Sequence, residues 1–306
     1  MTSCSYAQKK AQADRLIRAA ALAVQPGTAT GSYSQTISAS GLSLPPGFPK
    51  AVSNVGLELS MDFRRNRAAI VNEPSPVPPH PATTQGVSAL LKELAGVGGA
   101  SAVSPPPASV FAGWSVYLQQ RSNATPGTAA ATQAWFQLDF AQMDLFAAQG
   151  VLHSPTPVTM VNPDLLVRLL AGTLSGSVAD LGPTVLEGVS TTHYRMNLDL
   201  SKAVSNLGLS DSDQQAVVNL FRADNVTDTT FYDCQAWLDA SGRPRRLVVN
   251  MVQHPDSRDT YHITYTVSIS SYGTPVRIAL PNPDNTNGVS SVNQLLGELG
   301  GGGASL

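Results

Sequence analysis

The sequence predicts an α+β fold: an antiparallel half-open β-barrel, a curled sheet wrapped over a few helices, with an apolar cavity between the two. Three observations predict it. Apolar residues recur at every second position in one run after another, as strands with one buried face require. An Asp-x-x-Gly sequence, Asp239 to Gly242, joins two such runs and marks a hairpin, the antiparallel connection. Helical patterns are few and rich in Ala and Leu, so an open sheet covers its apolar face by curling over them.

The elements follow in order. From about Gln8 to Val24 the chain is Ala-rich, with Leu16, Ile17, Ala20 and Ala23 on one face and Lys9, Asp14 and Arg18 elsewhere. That spacing predicts an amphipathic helix, ended by Pro26-Gly27. Tyr33, Gln35 and Ile37 then alternate with Ser and Thr. Val55, Leu57, Leu59, Met61 and Phe63 alternate with Gly56, Glu58, Ser60, Asp62 and Arg64, a strand with one buried face.

From Pro74 to Pro107 the chain becomes Pro- and Gly-rich around a short Leu-rich piece. Alternating strand patterns resume beyond it, so it reads as an insertion within one domain. Its Leu90-Leu91-Lys92-Glu93-Leu94 resembles Leu295-Leu296-Gly297-Glu298-Leu299 near the C-terminus. The pair has no fixed period, which leaves biased composition or a shared docking element.

Strands resume at Trp114-Val116-Leu118 and at Ala134-Phe136-Leu138-Phe140. Asn162 is placed to cap a helix, with Pro163 at its first position, Asp164 at the positive end, and Leu165, Leu166, Leu169 and Leu170 inside. Tyr194, Met196, Leu198 and Leu200 alternate again. Ser210 caps a further helix that opens with Asp211 and Asp213 and buries Val217, Leu220 and Phe221. Phe231 to Leu238, the hairpin turn, then Leu247, Val249 and Met251 follow. The last long strand carries Tyr261, Ile263, Tyr265, Val267 and Ile269. The domain boundaries expected are an anchor segment and helix over 1–26, one domain over 27–283 with the 74–107 insertion, and a flexible Gly-rich tail over 284–306.

Composition excludes some functions. A net charge of −2 with 13% charged residues offers no long-range pull on nucleic acid. The densest basic pieces, Arg64-Arg65-Asn66-Arg67 and Arg243-Pro244-Arg245-Arg246, are short and lack aromatic interleaving. No apolar run approaches the roughly 20 residues that span a bilayer. Of the two cysteines, Cys4 and Cys234, the second sits on a strand and reads as a small packed hydrophobe.

No Gly-x-Ser-x-Gly, Walker loop, dinucleotide fingerprint or His-Glu-x-x-His occurs. Of the five histidines, His80, His153, His193, His254 and His262, no two have metal-ligand spacing, and only His193 stands in a suggestive context. A strand histidine hydrogen-bonded across the sheet explains it. Asp211 and Asp213 read as helix-start acids. The expectation is therefore no enzyme, no metal and no cofactor; a hydrolase would rest on His193 alone.

Met1-Thr2-Ser3-Cys4 matches the end of a bacterial lipobox, in which a cysteine behind small residues receives the lipid. The rival reading is an ordinary cysteine near a terminus. Nothing upstream of Cys4 serves as a charged and apolar signal peptide here, so the lipobox reading expects a leader that this sequence does not contain. Strand alternation nominates the cavity lining: Val55, Leu57, Leu59, Met61, Phe63, Trp114, Val116, Leu118, Phe136, Leu138, Ile263, Tyr265 and Val267. Lipid-sized pockets are mostly apolar with few polar groups.

Asn162-Pro163-Asp164-Leu165-Leu166 through Leu170, Val178 to Gly182, Leu186 to Arg195 and Leu198-Asp199-Leu200 resemble, in order and spacing, the central block of actinobacterial LppX/LprG-type lipoproteins. Ala236 to Arg246 resembles the hairpin that follows in them, and Ser271 to Val276 with Pro281 their final strand. The resemblance covers about residues 160–283. It implies a fold like that of the LolA/LolB carriers and an envelope protein anchored through Cys4 to the outer face of the cytoplasmic membrane. It further implies binding of a lipid or glycolipid for carriage or presentation in the cell envelope, with envelope transport proteins as possible partners. The alternative is an extracytoplasmic interaction or sensor module that uses the same fold without a lipid.

Overall fold

In the computed structural model the described residues are 6–40, 51–71, 109–113, 115–119, 135–139, 162–206, 214, 230–253 and 260–289. Helix α1 spans Tyr6–Val24 and buries Ala13, Leu16, Ala19, Ala20 and Ala23. Four of those five are alanine, so the helix axis approaches its neighbours closely. Strands β1 (Thr28–Ser40), β2 (Ala51–Asp62), β3 (Arg67–Val71), β4 (Ser109–Ala112), β5 (Ser115–Gln119) and β6 (Trp135–Asp139) make the N-terminal half. Helix α2 (Pro163–Arg168) runs into a 3-10 turn at Leu169–Gly172. Then come β7 (Ala179–Leu186), β8 (Val189–Asp199), helix α3 (Leu200–Asn206), β9 (Thr230–Asp239), β10 (Pro244–Gln253), β11 (Thr260–Tyr272) and β12 (Thr286–Val289).

Among the described residues the twelve strands form one sheet, ordered β12-β6-β5-β4-β3-β2-β1-β11-β10-β9-β8-β7. Its pairs are antiparallel except β12 on β6, which is parallel. Strands β12 and β7 are its two edges, so the sheet is unclosed. That it curls follows from α2. This six-residue helix packs on β3, β10 and β11. Strands β3 and β10 are four steps apart, about 19 Å across a flat sheet. A helix about 9 Å long and 10 Å wide reaches both only where the sheet bends around it.

Bulges help the bend. Strand β1 shifts register against β11 between Thr30 and Gly31, and against β2 between Tyr33 and Gln35. At Gly31 a Cβ would overlap the Ser268 carbonyl oxygen and lie 2.9 Å from Ile269 Cα, so only glycine allows this approach of β1 to β11.

Local chemistry explains the ends. The Asn162 side chain accepts from the Asp164 N–H at 3.0 Å with Pro163 at the first helical position, as the sequence predicts. Glu187 and Gly188, with φ of 50° and 81°, form the two-residue turn between β7 and β8. At the predicted Asp239–Gly242 hairpin, Asp239 Oδ1 accepts from the Ser241 N–H at 2.9 Å and the Arg243 N–H at 3.1 Å.

The structure departs from the sequence reading in several places. Leu200 opens α3 instead of ending β8, because Asp199 Oδ1 accepts from the Lys202 N–H at 2.6 Å and caps a helix there. Thr286–Val289, read as loose tail, pairs with Trp135–Leu138 as β12. An edge strand shows no apolar alternation, and none marks Thr-Asn-Gly-Val. Short β3 and β4 were not predicted at all. They pair with each other in antiparallel register. The helix expected from Ser210 and most of the tail lie outside the described residues.

Candidate ligand-binding face

Cross-strand register shows how the predicted apolar residues come together. Residues directly opposite one another in antiparallel strands share a face. One row runs Phe136, Leu118, Ser109, Ile70, Leu59, Gly31, Ile269 from β6 to β11. The next runs Leu138, Val116, Phe111, Ala68, Met61, Ala29, Tyr272. A third runs Leu57, Tyr33, Val267, Leu247, Ala236, Tyr194 from β2 to β8. Beyond it stand Gln35, Tyr265 and Val249, then Ile37, Ile263 and Met251.

Leu59, Met61, Phe63, Val116, Phe136, Ile263, Tyr265 and Val267 are all buried, and Leu57 packs half-buried against the same core. Leu118 and Leu138 hold their register positions. Val55 falls at the register shift between β1 and β2, where Leu57 faces Tyr33 but Asn54 faces Gln35. Trp114 and Cys4 lie outside the described residues. Sequence reasoning missed Ile70 and Phe111 because strands of four and five residues are too short to display a period.

The opposite face of the same strands is polar. On β1 and β11 it carries Ser32 against Ser268, Ser34 against Thr266 and Thr36 against Thr264. His193 stands there, half-buried, with Nε2 2.9 Å from Gln235 Oε1 on β9. This is the cross-strand bond the sequence predicts. Its ring stacks on Trp237 at 4.1 Å, and the Arg246 guanidinium lies over Trp237 at 5.9 Å while pairing with Glu187 at 2.9 Å. Among the described residues no group of three His, Cys, Asp or Glu side chains could hold a metal ion.

Titratable groups in the interior are few. Cys234 is buried, as a packed hydrophobe should be, and burial pushes its thiol up to about 12. Asp164 is fully buried; burial raises its carboxyl, against the opposing pull of Arg168, whose Nε donates to Oδ1 at 2.8 Å. Its Oδ2 has no hydrogen-bond partner among the described residues. Arg168 also donates to the Phe63 carbonyl at 3.2 Å, fixing α2 to the β2–β3 turn. Tyr33 is buried at the centre of the inner face, and its hydroxyl also has no partner among the described residues.

Fold and face together define a class: a curled, unclosed antiparallel sheet, apolar inside and polar outside, lined by few helices. Among solved structures the chain is similar to the lipoprotein LppX of Mycobacterium tuberculosis, at 10% identity and a TM-score of 0.36, over 87% of this chain and 99% of that one. It is likewise similar to LprF from Mycobacterium bovis, at 10% identity and a TM-score of 0.36, over 89% and 97%. A third is a putative outer membrane lipoprotein-sorting protein domain from Vibrio parahaemolyticus, at 8% identity and a TM-score of 0.26, over 95% and 99%. No protein-family model and no curated protein sequence matches the chain.

Proposed function

We propose that this protein is a membrane-anchored lipoprotein that binds a lipid or glycolipid on the inner face of its sheet and carries or presents it in the cell envelope. The observation that supports this reading is the extent of that face. Its apolar rows run from β11 through β1, β2, β3, β4 and β5 to β6, and Leu59, Met61, Phe111, Val116 and Phe136 along them are buried. An apolar face of that breadth suits an acyl chain. A dozen methylenes held out of water are worth about 10 kcal/mol, enough to offset much of the cost of leaving a bilayer.

In this reading Cys4 attaches the chain to the outer face of the cytoplasmic membrane, and the work is non-catalytic. The acyl chains lie against Leu57, Leu59, Met61, Phe63, Val116, Leu118, Phe136, Leu138, Ile263, Tyr265 and Val267, and the headgroup stays at the rim. His193 needs no catalytic role, since Gln235 and Trp237 occupy its ring.

The test is organic extraction of protein purified from its native host, followed by mass spectrometry, with uptake of a fluorescent fatty-acyl probe alongside. Co-purified acyl lipid and probe uptake are expected. Repeated absence of both from folded protein would refute the carrier reading and favour an interaction module. Leu59→Trp should block uptake while leaving the far-ultraviolet spectrum unchanged. Unchanged uptake in that variant would make Leu59 plain core.

A further inference from the structure

We infer that Tyr33 is the polar anchor of the inner face, its hydroxyl donating to a neutral carbonyl, so that the lipid bound is one whose chains are joined through an ester or amide. The inference rests on the lipid reading above and names the chemistry that the same face selects. Strand β1 is at the middle of the sheet, with five strands on one side of it and six on the other counted along the strand order. Tyr33 projects from it into the third apolar row, between Leu57 on β2 and Val267 on β11. Its ring lies 6.4 Å from that of Tyr265, tilted by 41°.

The hydroxyl is the anomaly. Tyr33 is 1% exposed, and its oxygen has no hydrogen-bond partner among the described residues. Burying a hydroxyl in that state costs about 1–3 kcal/mol, which phenylalanine would avoid at the same volume. Tyr272, by contrast, donates its hydroxyl to the Pro244 carbonyl. A group that costs stability in the empty fold and sits at the centre of a candidate binding face is explained by a partner that arrives with the ligand.

The surroundings specify that partner. The inner-face neighbours by register and by sequence are Leu57, Val267, Gly31, Gln35 and Tyr265, none of them charged. A bare carboxylate would find no counter-charge among these five. Burial also keeps the phenol protonated, hence a donor. A neutral donor in an apolar layer matches a neutral acceptor, the carbonyl of an acyl ester or amide, and offers nothing to an ether oxygen flanked by two alkyl chains beyond a weaker contact.

The experiment compares a dipalmitoyl glycerol diester with its dihexadecyl diether, each displacing a fluorescent fatty-acyl probe from the wild-type protein, Tyr33→Phe and, as a control on the outer face, Tyr117→Phe. One neutral hydrogen bond corresponds to about a five- to tenfold preference for the diester in the wild type. That preference should fall to about one in Tyr33→Phe and persist in Tyr117→Phe, while the ligand-free Tyr33→Phe protein melts no lower than wild type. Equal affinity for diester and diether in the wild type overturns the assignment without any variant. A preference that survives in Tyr33→Phe, or a lowered melting temperature in that variant, overturns it as well. Failure of folded wild type to bind either lipid would instead overturn the lipid reading on which it rests.

Discussion

Gly31→Ala tests whether the bend of the sheet depends on the close approach of β1 to β11. The new Cβ would overlap the Ser268 carbonyl oxygen and lie 2.9 Å from both Ile269 Cα and Ser268 C, all backbone atoms that no rotamer change can move. Overpacking of this kind costs about 1–3 kcal/mol. Relief requires the two strands to part, and two ladder hydrogen bonds lost there add about 2 kcal/mol. The sum, about 3–5 kcal/mol, is a large share of the roughly 5–15 kcal/mol that stabilises a typical domain. With a urea slope of about 2.5 kcal/mol/M, the midpoint should fall by about 1–2 M. The control is Gly176→Ala, where nothing lies within 4 Å of an added Cβ; its stability should stay within about 0.5 kcal/mol of wild type. Equal midpoints for Gly31→Ala and wild type would refute the bulge as the device that bends β1.

Two further outcomes follow from buried titratable groups. With the Cys234 thiol pushed to about 12, its thiolate fraction near neutral pH is more than a thousandfold below that of an ordinary thiol near 8.5. In a Cys4→Ser background, a disulfide reagent should therefore label Cys234 more than a thousandfold faster in denaturant than in buffer, and comparable rates would contradict its burial. Asp164 gives a pH dependence: its folded carboxyl is raised by burial, so its contribution to stability is greatest below the unfolded carboxylate value, about 3.9, and declines as pH rises through the folded one. Urea midpoints of wild type measured against Asp164→Asn should move against wild type between acid and neutral pH; a constant difference, or one of opposite slope, would show that Arg168 outweighs burial.

What the sequence made legible depended on element length and on which groups carried the signal. Strands of ten or more residues announce themselves, since five apolar positions at period two, as from Val55 to Phe63, arise by chance rarely. The helix starting at Asn162-Pro163 and the Asp239–Gly242 turn were equally readable, because side chains make those ends. Strands β3 and β4 were not, at five and four residues. Strand β7 was missed for another reason: Gly182, Pro183 and exposed Val185 suit an edge and disguise the alternation. The site was legible as a face and not as a set of partners. Alternation grouped Leu59, Met61, Ile263, Tyr265 and Val267, all of them buried, yet it could not reveal the register shift beside Val55. Nor could it find the Tyr33 hydroxyl, whose lack of a partner among the described residues is a property of three dimensions alone.

The two faces of the sheet divide the tasks of holding shape and holding contents. On the outer face, Arg246 reaches Ser268 on β11 and Glu187 beside β7, Thr264 reaches Asn250, and His193 reaches Gln235. These contacts tie β7 through β11 to one another without using any inner side chain. The same strands are long, eight to thirteen residues, and α1 or α2 covers β10 and β11 from inside. Strands β3 to β6 have four or five residues each, and the one outer side-chain tie among them that the described residues show joins Gln137 to Ser115 at 3.3 Å. Among the described residues, then, the outer side-chain ties concentrate in the long-strand half, while the short-strand half is held mainly by its backbone ladders and by the burial of Phe111, Val116 and Phe136.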